Sequence, residues 1–343
     1  MSTLLKHISP LAPDDSGACS VLYEMGGIVV ICDAGGCAGN VCGFDEPRWH
    51  CKRSALFSAG LRDMDAILGR DDRLVEKLVK VTGQVEADFT AIIGTPVPAV
   101  IATDYHALER MSERRSGLPC IALPTDGTRL YDYGEELAYT ELFRRFAEEG
   151  IEPKKGKLGI IGATPLNTGL MFAEKLIAAG KAMGFDEVVC FGLDSGLDEV
   201  KRAAECERLL VISPSGVKAA EYLNKRFGTP FEAGYPCLPE AVCESADGLS
   251  GKKVLVINQQ FAANTLREKL KGCEVDCATW FALDKRYAHE NDFRIKDEGT
   301  LRERIEQGGY DVIFADRDLW RAMKYFGGEL IDFPHYAVSA TLA

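Results

Sequence analysis

The sequence predicts an α/β protein of three Rossmann-like units with parallel sheets and a substrate cleft between them. Three observations predict it. Short apolar runs without alternation recur along the chain, as expected of strands buried on both faces. Segments with apolar residues at helical spacing lie between them. The pattern restarts twice, at Gly156 and at Gly251, which divides the chain into units 1–150, 151–248 and 249–343.

In the first unit the apolar runs are Gly27 to Cys32, Phe89 to Ile93 and Pro119 to Leu123. Each ends in a turn sequence: Gly35-Gly36, Gly94-Thr95-Pro96 and Pro124-Thr125-Asp126-Gly127. The second unit has Gly156 to Gly162, Val188 to Phe191 and Leu209 to Ile212, and the third has Gly251 to Ile257 and Tyr310 to Phe314. Four helical stripes fit between: Ile67, Leu68, Leu74 and Leu78; Leu170, Phe172, Leu176 and Ile177; Ala220, Leu223 and Phe227; and Phe261, Leu266 and Leu270. Ligands of such folds sit at the carboxyl ends of the strands, in the cleft between units.

Composition narrows the function. The 343 residues are 46% hydrophobic and 27% charged, which supports ordinary cores and excludes a wholly disordered chain. The net charge of −12 argues against a nucleic-acid polymer as partner. The nearest basic cluster, Arg110 to Arg115, is broken by Glu113 and reads as a solvated helix end or loop. No apolar run reaches the roughly 18–20 residues of a membrane span. The stretch Met1 to Asp14 lacks the pattern of a secretion signal, so a cytoplasmic location is expected.

Several sites are missing from the sequence. It contains no G-x-x-x-x-G-K-[ST], no G-x-G-x-x-G after a strand, no H-E-x-x-H, no G-x-S-x-G and no C-x-x-C. Walker-type ATP hydrolysis, Rossmann-type nicotinamide binding and zinc-ribbon chemistry are therefore not expected. The chain nevertheless has 12 cysteines, and five of them (Cys19, Cys32, Cys37, Cys42 and Cys51) fall in one short segment. Cys37 follows the first strand among glycines, which let backbone amides approach a bulky anionic ligand. Cys19 reads as a loop residue before that strand. Two such loops can bring thiolates to an iron–sulfur cluster. Cys32 reads as a buried small hydrophobe, and Cys42 as either a core or turn residue or a further ligand. His50-Cys51 is either a ligand pair or a surface pair.

Four stretches carry a family resemblance. Asp33-Ala34-Gly35-Gly36-Cys37, with Cys19 upstream in Gly-Ala-Cys, resembles an H-G-P-x-G-C turn and its first cluster cysteine. Arg53 to Gly69 resembles a stretch ending in an acidic residue, two apolar residues and glycine. Ile92 to Val97 resembles an I-G-D-D-I turn. Leu209 to Pro214, followed by Phe227-Gly228-Thr229-Pro230-Phe231, resembles a later strand–helix unit. Together they are similar to the nitrogenase component 1 oxidoreductase superfamily. That superfamily includes the molybdenum–iron protein subunits, the dark protochlorophyllide and chlorophyllide reductases, and the catalytic component of nickel-sirohydrochlorin diamide reductive cyclase, which this chain resembles in length.

The resemblance implies a homodimeric reductase component. A separate P-loop iron protein would hydrolyse ATP and pass electrons to a [4Fe–4S] cluster. Cys19, Gly36 and Cys37 would help bind that cluster, with Cys42, Asp88 or a two-fold partner completing the ligands. Asp88 takes the place of a third cysteine by offset, or is an ordinary polar residue at a strand start. No cysteine stands near Ile212-Ser213 and His335 lies in a different context, so no iron–molybdenum cofactor is expected. A small-molecule or tetrapyrrole substrate would meet Ser213, Ser215 and Gly216 at a helix start, or these serines cap the helix. Gln259, Gln260, Asp316 and Arg317 are further cleft candidates, and His106 is a candidate proton donor or an exposed helix residue. An assembly scaffold for metal clusters is the alternative within the same superfamily, and a periplasmic-binding-like α/β sensor with structural cysteines lies outside it.

Overall fold

The computed structural model describes residues 5–343, so residues 1–4 of the amino-terminal stretch considered above lie outside the described residues. Among the described residues thirteen strands form three sheets. The first holds β1 (Ile28–Ile31), β2 (Ala55–Ser58), β3 (Thr90–Ile93) and β4 (Cys120–Leu123) in the order β2-β1-β3-β4. The second holds β5 (Lys154–Ile161), β6 (Glu187–Phe191), β7 (Cys206–Val211) and β8 (Phe231–Ala233) in the order β6-β5-β7-β8. The third holds β9 (Lys253–Ile257), β10 (Glu274–Thr279), β11 (Phe293–Arg294), β12 (Val312–Ala315) and β13 (Glu329–Asp332) in the order β11-β10-β9-β12-β13. Every pairing between these strands is parallel. The three-sheet α/β architecture read from the sequence is thus the architecture observed.

The central strands are buried on both faces, as their unbroken Ile, Val and Leu runs require: β1, β3 and β12 are buried at every position. One continuous core runs from Ile31 and Phe143 through Leu158 to Val254, joining the three sheets. Two helices form its spine. The helix Asp14–Leu22 is buried along its whole length and crosses the helix Tyr131–Phe146 at two glycines. A Cβ on Gly17 would stand 1.9 Å from the Tyr131 carbonyl oxygen, and one on Gly134 would stand 1.7 Å from that of Asp14. Only glycine permits that approach.

Two expected helices differ. The stripe Ile67 to Leu78 is two helices, Asp63–Leu68 and Asp71–Thr82, broken at Gly69 with φ 60°. Leu74 and Leu78 face the core, whereas Ile67 and Leu68 are exposed. In the stripe from Leu170 to Ile177, the helix begins only at Glu174, and Phe172 is exposed. No helix of the described residues is long and apolar enough to cross a membrane.

Candidate functional site

The cysteine segment occupies the carboxyl edge of the first sheet. Asp33, buried just past β1, accepts from Ser58 Oγ at 2.5 Å and from the Ala38 backbone N–H at 2.8 Å. It thereby ties the Gly35 turn, with φ 114°, to the end of β2. Thr95, just past β3, donates to the Cys32 carbonyl at 2.8 Å, and its hydroxyl also reaches the Cys37 thiol. Three loops therefore meet beneath Cys37. Cys37 lies in the short helix Gly36–Asn40, Cys42 in the π-helical turn Val41–Asp45, and both are half-buried. Gly35, Gly36, Gly39 and Gly43 all face open space.

Cys19 is not on a loop. It lies inside the helix Asp14–Leu22 with its side chain fully buried, because that helix packs against neighbours on every side. It is close enough to Cys42 for that thiolate's charge to act on it, and Asp15 acts on both Cys19 and Cys37. Burial is the main cause that raises the pKa of all three thiols above the ordinary range, with Glu46 adding to it at Cys19 and Cys42, and Asp15 at Cys37. The bare thiols are therefore protonated at neutral pH, and a metal would have to displace those protons.

Asp15 itself is buried, and its Oδ1 has no hydrogen-bond partner. Burial, then the charges of Asp14 and Asp45, push its carboxyl up to about 7. Among the described residues no three His, Cys, Asp or Glu side chains converge closely enough to hold a metal ion. The residues present fit part of a cluster site: two half-exposed thiols in a glycine-open turn, with an orphaned carboxylate oxygen near Cys37.

Asp88 is not part of this edge. Its backbone N–H donates to the Gly26 carbonyl before β1 begins, and its side chain is exposed. At about 3.3 Å per residue, the span from Gly26 to Cys32 puts roughly 20 Å between Asp88 and the cysteine turn. The offset that suggested Asp88 counts along a strand whose far end faces the cysteine turn. The residue that β3 brings to Cys37 is Thr95. His50, which ends the turn Pro47–His50, and Cys51 after it are exposed, and Cys32 is buried at a strand end. His106 is exposed on the helix Tyr105–Ser116 and borders a separate cavity with Glu109, Cys120 and Arg144.

Beneath the edge lies a buried ion cluster. Arg48, fully buried, pairs with Glu46 at 2.6 Å and Glu24 at 2.8 Å, and donates at 2.7 Å to the carbonyl of Gly192, just past β6 of the second sheet. Lys52 extends it to Glu24 and Asp194.

The second polar region is the junction of the three units. Glu135, fully buried on the helix Tyr131–Phe146, receives Ser215 Oγ and Asn167 Nδ2, each at 2.7 Å, and also Thr164 Oγ1. Asn167 Oδ1 accepts from Tyr131, whose hydroxyl also meets His335 Nε2 at 3.0 Å. Burial holds His335 near 3 and pushes Glu135 up to about 8. Sequence reasoning missed Glu135. Its signal was a carboxylate beside Gly134 in a helix whose buried side also carries Tyr131, Asp132, Ala138, Tyr139 and Leu142.

Most of the expected cleft residues lie here, hydrogen-bonded or packed within the fold. Ser213 and Ser215 are buried, with Ser215 Oγ 3.0 Å from Ser213 Oγ. A Cβ on Gly216 would press on Ile161 at 2.7 Å, so its lack of a side chain serves packing. Gln259 caps its own helix and donates to the Ile212 carbonyl at 2.8 Å. Gln260 bridges to both backbone groups of Asp284. Asp316 holds the His335 N–H and Ser339 Oγ, while Arg317 is exposed. The space between Asn258, Phe281, Asp316 and His335 is closed to water. Next to it a cavity of about 460 Å³ opens, lined by Arg129, Asp132, Tyr133, Glu136, Ser215 and Arg294.

The sequence profile of the nitrogenase component 1 type oxidoreductases matches residues 16–265. This chain belongs to that family. Within the family, the nitrogenase iron-molybdenum cofactor biosynthesis protein NifE of Clostridium pasteurianum is 22% identical over 177 residues, 51% of this chain. The chain spans only 38% of that protein's length. The structure of nitrogenase Cp1 at pH 5 superposes with a TM-score of 0.73 at 13% identity, over 100% of this chain and 86% of that one. Nitrogenase Cp1 at pH 6.5 gives 0.71 at 12%, over 97% and 87%. These likenesses establish the nitrogenase component 1 fold.

Proposed function

We propose that this family member is the substrate-binding component of a nitrogenase-like reductase, working in the cytoplasm as a homodimer. It would accept electrons from an ATP-hydrolysing iron protein through a [4Fe–4S] cluster and would carry no iron–molybdenum cofactor. The observation that carries the reading is the cysteine edge. Cys37 and Cys42 are half-exposed in a glycine-open stretch that also carries Phe44, 68% exposed. Such an exposed apolar side chain suits contact with another protein surface. Two thiols from each of two copies would complete a four-cysteine set, with Cys19 as the buried wall behind Cys42. When bound, the cluster supplies one-electron transfer. The chain's own part is to seat it on the turn that Asp33 and Thr95 hold in place.

The substrate would enter the cavity of about 460 Å³ between the units, which we divide near residues 150 and 248. That volume lies toward the lower end of the roughly 300–1,000 Å³ typical of small-molecule sites. It favours a compact molecule over a tetrapyrrole. A second reading, an assembly scaffold for metal clusters, is favoured by the likeness to NifE. Anaerobic assay with a P-loop iron protein separates the two. ATP-dependent reduction of the chain's cluster is expected for the reductase. Transfer of an intact cluster to an acceptor, without ATP-dependent reduction, would replace it with the scaffold.

A further inference from the structure

A buried carboxyl at the junction has no assigned role, and its surroundings are unusual. Glu135 takes hydrogen bonds from Ser215, Asn167 and Thr164, all uncharged. Among the described residues no Lys, Arg or His contacts its carboxyl. The titratable groups facing it are Asp132, Tyr131 and Tyr139 of its own helix, and His335 stands one hydrogen bond further on, behind Tyr131. A lone buried carboxylate without a counter-charge is costly, and the neutral acid is the favoured form. Of its three partners, Ser215 lines the cavity of about 460 Å³. Its hydroxyl is 2.7 Å from Glu135 Oε2, and a hydroxyl can accept from an acid while donating elsewhere.

We propose that Glu135 is the proton store of the three-unit cavity, delivering its proton through the Ser215 hydroxyl to a molecule bound there. The O–H bond at Glu135 breaks as one forms to Ser215 Oγ, and the hydroxyl's original proton passes to the bound molecule. Glu135 is left as a carboxylate and refills from solvent by the reverse path. Glu135 acts through Ser215 and is therefore a positioning residue rather than a catalytic one. The inference builds on the reading of this cavity as the substrate site, but its test needs neither substrate nor cluster. Failure here would leave the reductase proposal standing, and an iron-free protein would leave this relay standing.

The test is infrared spectroscopy of the purified full chain. At pH 7 the wild type should show a protonated-carboxyl C=O band that is missing in Glu135→Gln. In Ser215→Ala the band should remain, and its shift on mixing with D2O should slow by roughly tenfold or more. Ser215→Thr, which keeps the hydroxyl, should restore the rate and controls for folding. A missing Glu135 band at pH 7 would overturn the proposal. So would an exchange rate unchanged in Ser215→Ala.

Discussion

The cysteine edge and the three-unit junction both place polar groups at the carboxyl ends of parallel strands, yet they are built on opposite principles. The edge is open and incomplete: half-exposed thiols, glycines facing open space and an orphaned Asp15 oxygen. It stands on a buried ionic base of Arg48, Glu46 and Glu24. The junction is closed, and its hydrogen bonds run from Ser215 through Glu135 and Asn167 to Tyr131 without a cation. An edge built this way leaves groups that the chain itself does not satisfy. A junction built this way holds itself together and leaves only its cavity to a ligand.

The largest expected effect breaks the ionic base. Arg48→Met leaves Glu46 buried without its partner and should cost about 3–5 kcal/mol, read as a lower denaturation midpoint in urea. Glu135→Gln, at the neutral junction, should be mild at low pH. There the sign follows from the raised carboxyl: the native state keeps a proton that the unfolded chain loses above its ordinary value of 4.5. Wild-type stability relative to Glu135→Gln should therefore fall as pH rises from 4.5 toward about 8, and level off above. The slope is at most about 1.4 kcal/mol per pH unit. Thermal melts of the two proteins across this range check it, and parallel curves would make Glu135 a carboxylate throughout.

How much of this was legible in the sequence follows the same division. Strands β1, β3, β9 and β12 were readable because burial on both faces leaves runs of Val, Ile and Leu. Strand β10 was not, because Glu274 and Asp276 interrupt it. Neither was β13, an edge strand with Glu329 and Asp332 at its ends. The Cys37 turn was visible through its glycines. The placement of Cys19 was not, since Asp14, Asp15, Ser16 and Gly17 resemble a loop, and only the close packing on Gly134 makes them a buried helix. Asp88 lies away from the Cys37 turn, and spacing along a strand does not say which of its ends faces that turn. Glu135 was overlooked because a carboxylate in a helix reads as a solvated face until the neighbouring units close over it.

The most direct test of the central claim is iron. Anaerobically purified wild type and Cys37→Ala would be analysed for iron and acid-labile sulfide, and by EPR after dithionite reduction. A cluster shared at the cysteine edge predicts about four iron atoms per pair of chains, with the signal lost in the variant. Protein that stays iron-free after reconstitution, or a signal that survives Cys37→Ala, would contradict it.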